Sequence, residues 1–279
     1  MMKHFCDLHT HSTCSDGTLT PAELICMAEE LGLGAVALCD HNTVAGLPEF
    51  LAAGAKAQVE AVPGVEFSTD YREGELHLMA LFVKPAHYAA VTEKVAQMWK
   101  RKELSNLALV RSLNEAGLEL DYEVIKAGTP NGQVNRAVIA AEMVRRGYCE
   151  SVKEAFSKWL SPEQGHFQPP KRLVVFEMIG FIRSIGAVPV LAHPFLNLRE
   201  EELREFLKEA VPLGLVGMET EYSTFTEEQR KQLREIAGEF GIKRSGGSDF
   251  HGANKPDIAM GTGRGDLRVE LALLEGLKR

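Results

Sequence analysis

The 279-residue chain contains no stretch approaching the roughly 18 consecutive apolar residues of a membrane helix. Its first residues, Met1-Met2-Lys3-His4-Phe5-Cys6-Asp7, enter a strand-like segment without the apolar run of a secretory signal. These absences set aside a membrane-spanning or exported protein, and a soluble, cytoplasmic one is expected. The five cysteines, Cys6, Cys14, Cys26, Cys39 and Cys149, show no paired spacing and are odd in number. A disulfide framework is therefore excluded in favour of free thiols in a reducing compartment. Cys6 and Cys39 lie in apolar runs and are expected to be buried, and no histidine-paired nucleophile pattern surrounds Cys14. Positive charge is also scarce: 31 Lys and Arg face 39 Asp and Glu, a net charge of −8, which argues against an extended nucleic-acid surface. There is no internal repeat and no low-complexity tract. At 45% hydrophobic residues the chain can bury a sizeable core, as one barrel-type domain or as a core carrying an insertion.

Charge is unevenly spread. Residues 94–172 hold 13 Lys and Arg against 9 Asp and Glu, a net of +4, which leaves 18 against 30, a net of −12, for the rest. Seven short apolar runs have strand character: 5–8, 35–39, 62–67, 76–83, 188–192, 216–219 and 242–246. Most are separated by segments of helical spacing at 21–31, 49–58, 174–185, 200–209 and 227–240, with Pro21, Asn42 and Thr226 where helix starts are expected. This alternation predicts a mostly parallel α/β sheet, open or closed into a barrel. Between 91 and 172 the pattern is helical only, at 91–114, 135–146 and 151–159, with glycines at the breaks. The expected organisation is a barrel from 1–90 and 173–279 with 91–172 inserted as a helical cap.

What the chain does have is a recurring set of metal-ligand residues. His9-Thr10-His11 is followed by Asp16; Asp40-His41, His193-Pro194 and Asp249-Phe250-His251 come later, and Glu66 and His77 stand alone. Imidazoles and carboxylates at nine positions, His9, His11, Asp16, His41, Glu66, His77, His193, Asp249 and His251, suffice for more than one divalent ion. Six of them fall at or just beyond the C-terminal ends of five apolar runs, where barrel enzymes assemble their sites. His9 and His11 project to one side of an extended chain because side chains alternate with period two, as do Asp249 and His251. His4, His87 and His166 belong to no such motif. Asp40 is read as orienting His41 or capping the following turn, and Glu219 and Glu221 as supporting or surface carboxylates.

The strings Asp7-Leu8-His9-Thr10-His11-Ser12-Thr13-Cys14-Ser15-Asp16-Gly17, Leu38-Cys39-Asp40-His41-Asn42-Thr43, Pro63-Gly64-Val65-Glu66, Leu76-His77-Leu78, Ala192-His193-Pro194 and Gly247-Ser248-Asp249-Phe250-His251 closely resemble the motifs of the PHP (polymerase and histidinol phosphatase) family, in family order. The resemblance implies a distorted seven-stranded (β/α) barrel, and the inserted segment resembles the branch of small-nucleotide phosphatases and 5′–3′ exoribonucleases. It also implies three divalent ions, Mn²⁺, Fe²⁺ or Zn²⁺: one held by His9, His11, Glu66 and Asp249, a second by Glu66, His77 and His193, and a third by Asp16, His41 and His251. Hydroxide activated by the ions would then attack phosphorus, with Asp16, His193, Asp249 and His251 acting in catalysis and water as the default proton source.

The implied partner is a small phosphorylated molecule, a nucleotide or short oligonucleotide. Arg136, in Gln133-Val134-Asn135-Arg136, matches a family arginine that contacts substrate phosphate, whereas Val138 replaces the histidine that follows it. Lys171 and Arg172, where the insertion returns, are candidate second contacts. Asn42 stands where aspartate is usual, beside the third ion. Two other classes remain in view: a metal-dependent amidohydrolase or deaminase with one or two ions, and a non-catalytic metal-binding module. Within the family, a histidinol-phosphate phosphatase is the neighbouring activity.

Overall fold

A computed structural model describes residues 4–72, 74–129, 134–170 and 173–278. The chain divides into two compact units, Met1–Val95 with Leu173–Arg279, and Ala96–Arg172. The first unit is built on a sheet in which β1 (Phe5–Thr10), β2 (Ala35–Leu38), β3 (Glu60–Tyr71), β4 (Gly74–Leu81), β6 (Val188–Leu191), β7 (Gly217–Tyr222), β8 (Lys243–Gly247) and β9 (Val269–Glu270) follow the order β8-β7-β6-β4-β3-β2-β1-β9. A ninth strand, β5 (Leu173–Val174), pairs with β3. Beyond β8, Thr10 bridges Phe250 in parallel, with the His11 amide donating to the Phe250 carbonyl and the Asp249 amide to that of His9, both at 2.9 Å. The sheet thereby nearly closes on itself.

All seven apolar runs form strands, but the count of seven is corrected: β5 and β9 are two residues each, too short to leave a periodic signal. The sheet is mostly parallel, as expected, with antiparallel pairings at two of its strands. β1–β2, β2–β3, β3–β5, β6–β7 and β7–β8 are parallel, whereas β4 runs antiparallel to both β3 and β6, and β9 to β1. β3 and β4 pair as an antiparallel hairpin, from Gly64 opposite Leu81 to Tyr71 opposite Gly74. β1 and β2 are buried almost throughout, as strands covered on both faces should be, and for that reason they read as continuous apolar runs.

Helices flank these strands: α1 (Pro21–Glu30), α2 (Leu47–Gly54), α7 (Val175–Ser184), α8 (Glu200–Ala210), α9 (Glu227–Glu239) and α10 (Leu271–Leu277). Thr20 and Thr226 cap α1 and α9 through reciprocal bonds with Glu23 and Gln229, which fixes both starts from local sequence alone. Asn42 does not start a helix. It adopts φ 53°, and its amide brackets Ser68 on β3, so α2 begins only after Gly46. α3 (Tyr88–Glu115) leads into the second unit, whose described residues add α4 (Tyr122–Ala127), α5 (Arg136–Arg145) and α6 (Val152–Ala155). That unit has its own core, including Leu109, Leu113, Ile139, Met143, Leu160 and Phe167. Among the described residues no helix is long and apolar enough to cross a membrane.

Candidate metal centre

β1 ends in the pair expected from its alternation. His9 and His11 are both fully buried, with ring centroids 5.1 Å apart. His41 follows β2, His193 follows β6, and Asp249 and His251 follow β8, while Asp16 hangs on the loop after β1. Glu66 and His77 depart from the strand-end rule. Both lie within long strands, because the β3–β4 hairpin extends past the stretch of β3 that pairs with β2.

The hub is Glu66, itself completely buried. Its Oε2 lies 3.2 Å from His9 Nε2, 3.4 Å from His11 Nε2 and 3.0 Å from His41 Nδ1. Its Oε1 lies 2.9 Å from His77 Nδ1 and 3.1 Å from His193 Nε2. Asp249 Oδ1 is 3.2 Å from His11 Nε2, and Asp16 Oδ1 is 3.3 Å from His251 Nε2. Three groups hold their ligand atoms within 4.8 Å of one another: His9, His11 and Glu66; His41, Glu66 and His77; and His11, Asp16, His41 and His251. The structure thus brings all nine expected residues together. His77 and His193 face the same Oε1 of Glu66, as in the grouping implied by resemblance, while His41 faces Oε2 of that carboxylate and so stands beside them as well as beside Asp16.

His77 and His193 hydrogen-bond Glu66 Oε1, but on the Oε2 side proximity is not hydrogen bonding. His9 Nε2, both nitrogens of His11, His41 Nδ1 and Glu66 Oε2 are buried without a hydrogen-bond partner. Buried polar atoms are otherwise almost always paired, so donor atoms 3.0–3.4 Å apart yet misaligned for each other are aimed at shared points between them. Such a set of N and O donors fits borderline divalent cations.

Electrostatics agree. Burial by itself would raise the Glu66 and Asp249 carboxyls, but the surrounding imidazoles hold both well below the ordinary carboxylate range. Burial likewise opposes charge on His77, and Glu66 and Glu75 override it, lifting its pKa to about 10. For His11 burial wins and the pKa drops to about 3, so its lone pairs stay available. The carboxylates outmatch burial at His9, which is held well above its ordinary value.

A supporting layer fixes these rings. Glu219 on β7 accepts from His9 Nδ1 at 3.0 Å and from the His193 amide at 2.7 Å, and is fully buried. Glu221 instead pairs with Arg234. Asp7 accepts from the Ser248 amide and hydroxyl and from the Gly261 amide, pinning β1 to the chain that carries Asp249. Asp40 holds the loop of Asp16 through the Ser12 amide, Ser12 Oγ and Ser15 Oγ, a correction to the expectation that it orients His41 or caps the turn after it. Tyr222 and Lys255 both contact Asp249 Oδ2 at 2.7 Å. The sequence reading missed Tyr222, Lys255 and the role of Asp7. Only Asp7, a carboxylate inside an apolar run, carried a local signal.

Of the expected substrate contacts, only Arg136 is among the described residues. Arg136 donates to the Leu160 carbonyl at 3.1 Å and lies over the Phe167 ring at 4.1 Å, inside the second unit. Lys171 and Arg172 lie outside the described residues. His166 bonds Ser112 Oγ at 2.9 Å.

A family model described as the PHP domain matches residues 7–163. The 5′–3′ exoribonuclease of Haemophilus influenzae is 32% identical over 246 residues, covering 88% of this chain and 89% of that protein. The 3′,5′-nucleoside bisphosphate phosphatase of Chromobacterium violaceum is 27% identical over 247 residues, covering 88% and 86%. A crystal structure from Bifidobacterium adolescentis, provisionally named a metal-dependent phosphoesterase, aligns with a TM-score of 0.69 at 25% identity, covering 98% of this chain and 94% of that one.

Proposed function

The chain belongs to the PHP family of metal-dependent phosphoesterases, and from that premise we propose that it hydrolyses phosphate monoesters of small nucleotides: nucleoside monophosphates, 3′,5′-bisphosphates or the 5′ ends of short oligonucleotides. The observation that carries this reading is Glu66, buried and surrounded by five imidazoles, three of whose facing nitrogens lack hydrogen-bond partners. Three ions, Mn²⁺, Fe²⁺ or Zn²⁺, would be held by the nine residues and would supply charge neutralisation and a water of lowered pKa.

The chain's own groups prepare that chemistry. Glu219, by accepting from His9 Nδ1, leaves Nε2 of that ring pointing at the centre. His251 Nδ1 donates to the Asp249 carbonyl at 2.8 Å, which leaves its Nε2 facing Asp16. Asp16, with its side chain 55% exposed, meets solvent and would be the ligand nearest an arriving ester. Residues 91–172 act in this reading as a cap that selects substrate, with Arg136, Lys171 and Arg172 meeting a second phosphate; the net positive charge of that segment supports the assignment.

The test is a panel of nucleotides, bisphosphonucleotides, sugar phosphates and histidinol phosphate offered to Mn²⁺-loaded protein. Nucleotide hydrolysis is expected, and Asp249→Asn or His193→Ala should abolish it while the melting curve of the folded protein persists. Near-native turnover in either metal-loaded variant refutes the reading. Amide or deaminase turnover with about one ion per chain would favour an amidohydrolase.

A further inference from the structure

Lys255 sits six residues after Asp249, at the end of a single 3-10 turn, Gly252–Asn254, that brings the chain back toward the centre. Its ammonium lies 2.7 Å from Asp249 Oδ2, while Asp249 Oδ1 faces His9, His11 and His251 at 3.7, 3.2 and 3.4 Å. The two oxygens therefore have different surroundings: imidazoles on one, and the Tyr222 hydroxyl together with Lys255 on the other. Tyr222 is buried and already fixes Oδ2, so the carboxylate is oriented without the lysine. Lys255 is 39% exposed, and among the described residues it is the only lysine or arginine in an ion pair with any of the nine.

A permanent cation at the rim of an anion-hydrolysing centre is redundant for orientation but not for binding. An ammonium carries three donors, and the one contact to Asp249 leaves two. An ion held by Asp249 would draw on its negative charge, which would loosen its grip on Lys255 and favour a dianionic phosphate as partner.

We propose that Lys255 is a substrate-binding residue, donating to a non-bridging oxygen of the phosphate group that the centre hydrolyses. The phosphate-binding cation of the reaction then belongs to the unit that carries the nine ligands, in addition to any contact from residues 91–172. This inference rests on the phosphoesterase reading, but its test needs no turnover.

Inorganic phosphate binding to Mn²⁺-loaded protein is measured by calorimetry for wild type, Lys255→Met, Lys255→Arg and Tyr222→Phe, with bound Mn²⁺ counted by elemental analysis. Loss of one charge-assisted contact predicts affinity about tenfold weaker in Lys255→Met. The Mn²⁺ count should equal that of wild type, and Lys255→Arg should stay within about threefold of wild type because the charge is kept. Wild-type affinity in Lys255→Met overturns the proposal. So does loss of an ion in that variant, or an equal weakening in Tyr222→Phe, since either outcome would route the effect through Asp249. A wild type that binds phosphate yet hydrolyses no ester would instead defeat the phosphoesterase reading.

Discussion

Glu219 shows how much of the centre depends on residues outside the nine candidate ligands. One carboxylate fixes the ring of His9 from β7 and the backbone of His193 after β6, two candidate ligands 184 positions apart in sequence. Glu219→Gln keeps the shape but weakens acceptance from the ring and from the amide. Metal affinity should fall about 10–100-fold, the usual effect of removing a carboxylate behind a ligand histidine. Titrating Mn²⁺ into chelator-stripped variant and wild type checks this, and equal affinities would reduce Glu219 to core filling. Three other residues near the centre, Asn42, His193 and Asp249, adopt positive φ without being glycine, at 53°, 27° and 57°. Such conformations cost on the order of 1–3 kcal/mol each and persist only where the surroundings impose them.

At the level of elements, the tightest constraint is the approach of β8 to β1. A Cβ at Gly247 would lie 2.3 Å from His9 Cβ and 2.5 Å from its backbone nitrogen, atoms that cannot step aside. Gly247→Ala should therefore push β8 away from β1, lower stability by roughly 1–3 kcal/mol or more, and weaken metal binding at the same time. Gly180, in the middle of α7, offers the opposite case: nothing lies within 4 Å of a Cβ built there. Gly180→Ala should stabilise by about 0.5–1 kcal/mol through helix propensity alone. Chemical denaturation of the two variants separates these outcomes, and similar effects of both would mean that the β8–β1 contact is not tight in solution.

At the scale of the whole molecule, the centre makes folding, pH and metal interdependent. In metal-free protein the neutral, buried His11 titrates near pH 3 when folded and near 6.5 when unfolded, so the unfolded state takes up the extra proton as pH falls through that window and stability drops. His77 has the reverse sign. With its folded pKa raised to about 10, it contributes stability that is complete below 6.5 and is lost as pH rises toward 10. Both groups place the metal-free optimum near pH 6.5. Ligands must shed protons to bind an ion, so the gain from Mn²⁺ should grow between pH 6 and 9. At about a hundredfold excess over Kd it should raise Tm by about 5–10 °C. Thermal melts with and without chelator across that range test the sign, and a gain that shrinks with rising pH would contradict it.

The sequence by itself determined the seven main strands, most of the helices between them, and the nine candidate ligand residues, because each of these is written locally. Alternation sets the face of His9 and His11, capping pairs such as Thr20 with Glu23 set helix starts, and imidazole and carboxylate side chains declare their chemistry in any fold. Tertiary structure alone decided the rest. The reversal of β4, the two-residue strands β5 and β9, and the positions of Glu66 and His77 within a hairpin depend on which strands pair across long stretches of chain. Glu219, Tyr222, Asp7 and Lys255 acquire their roles only because folding lays their atoms against the candidate ligands or the chain beside them, and a carboxylate, phenol or ammonium carries no local mark of the neighbour it will meet.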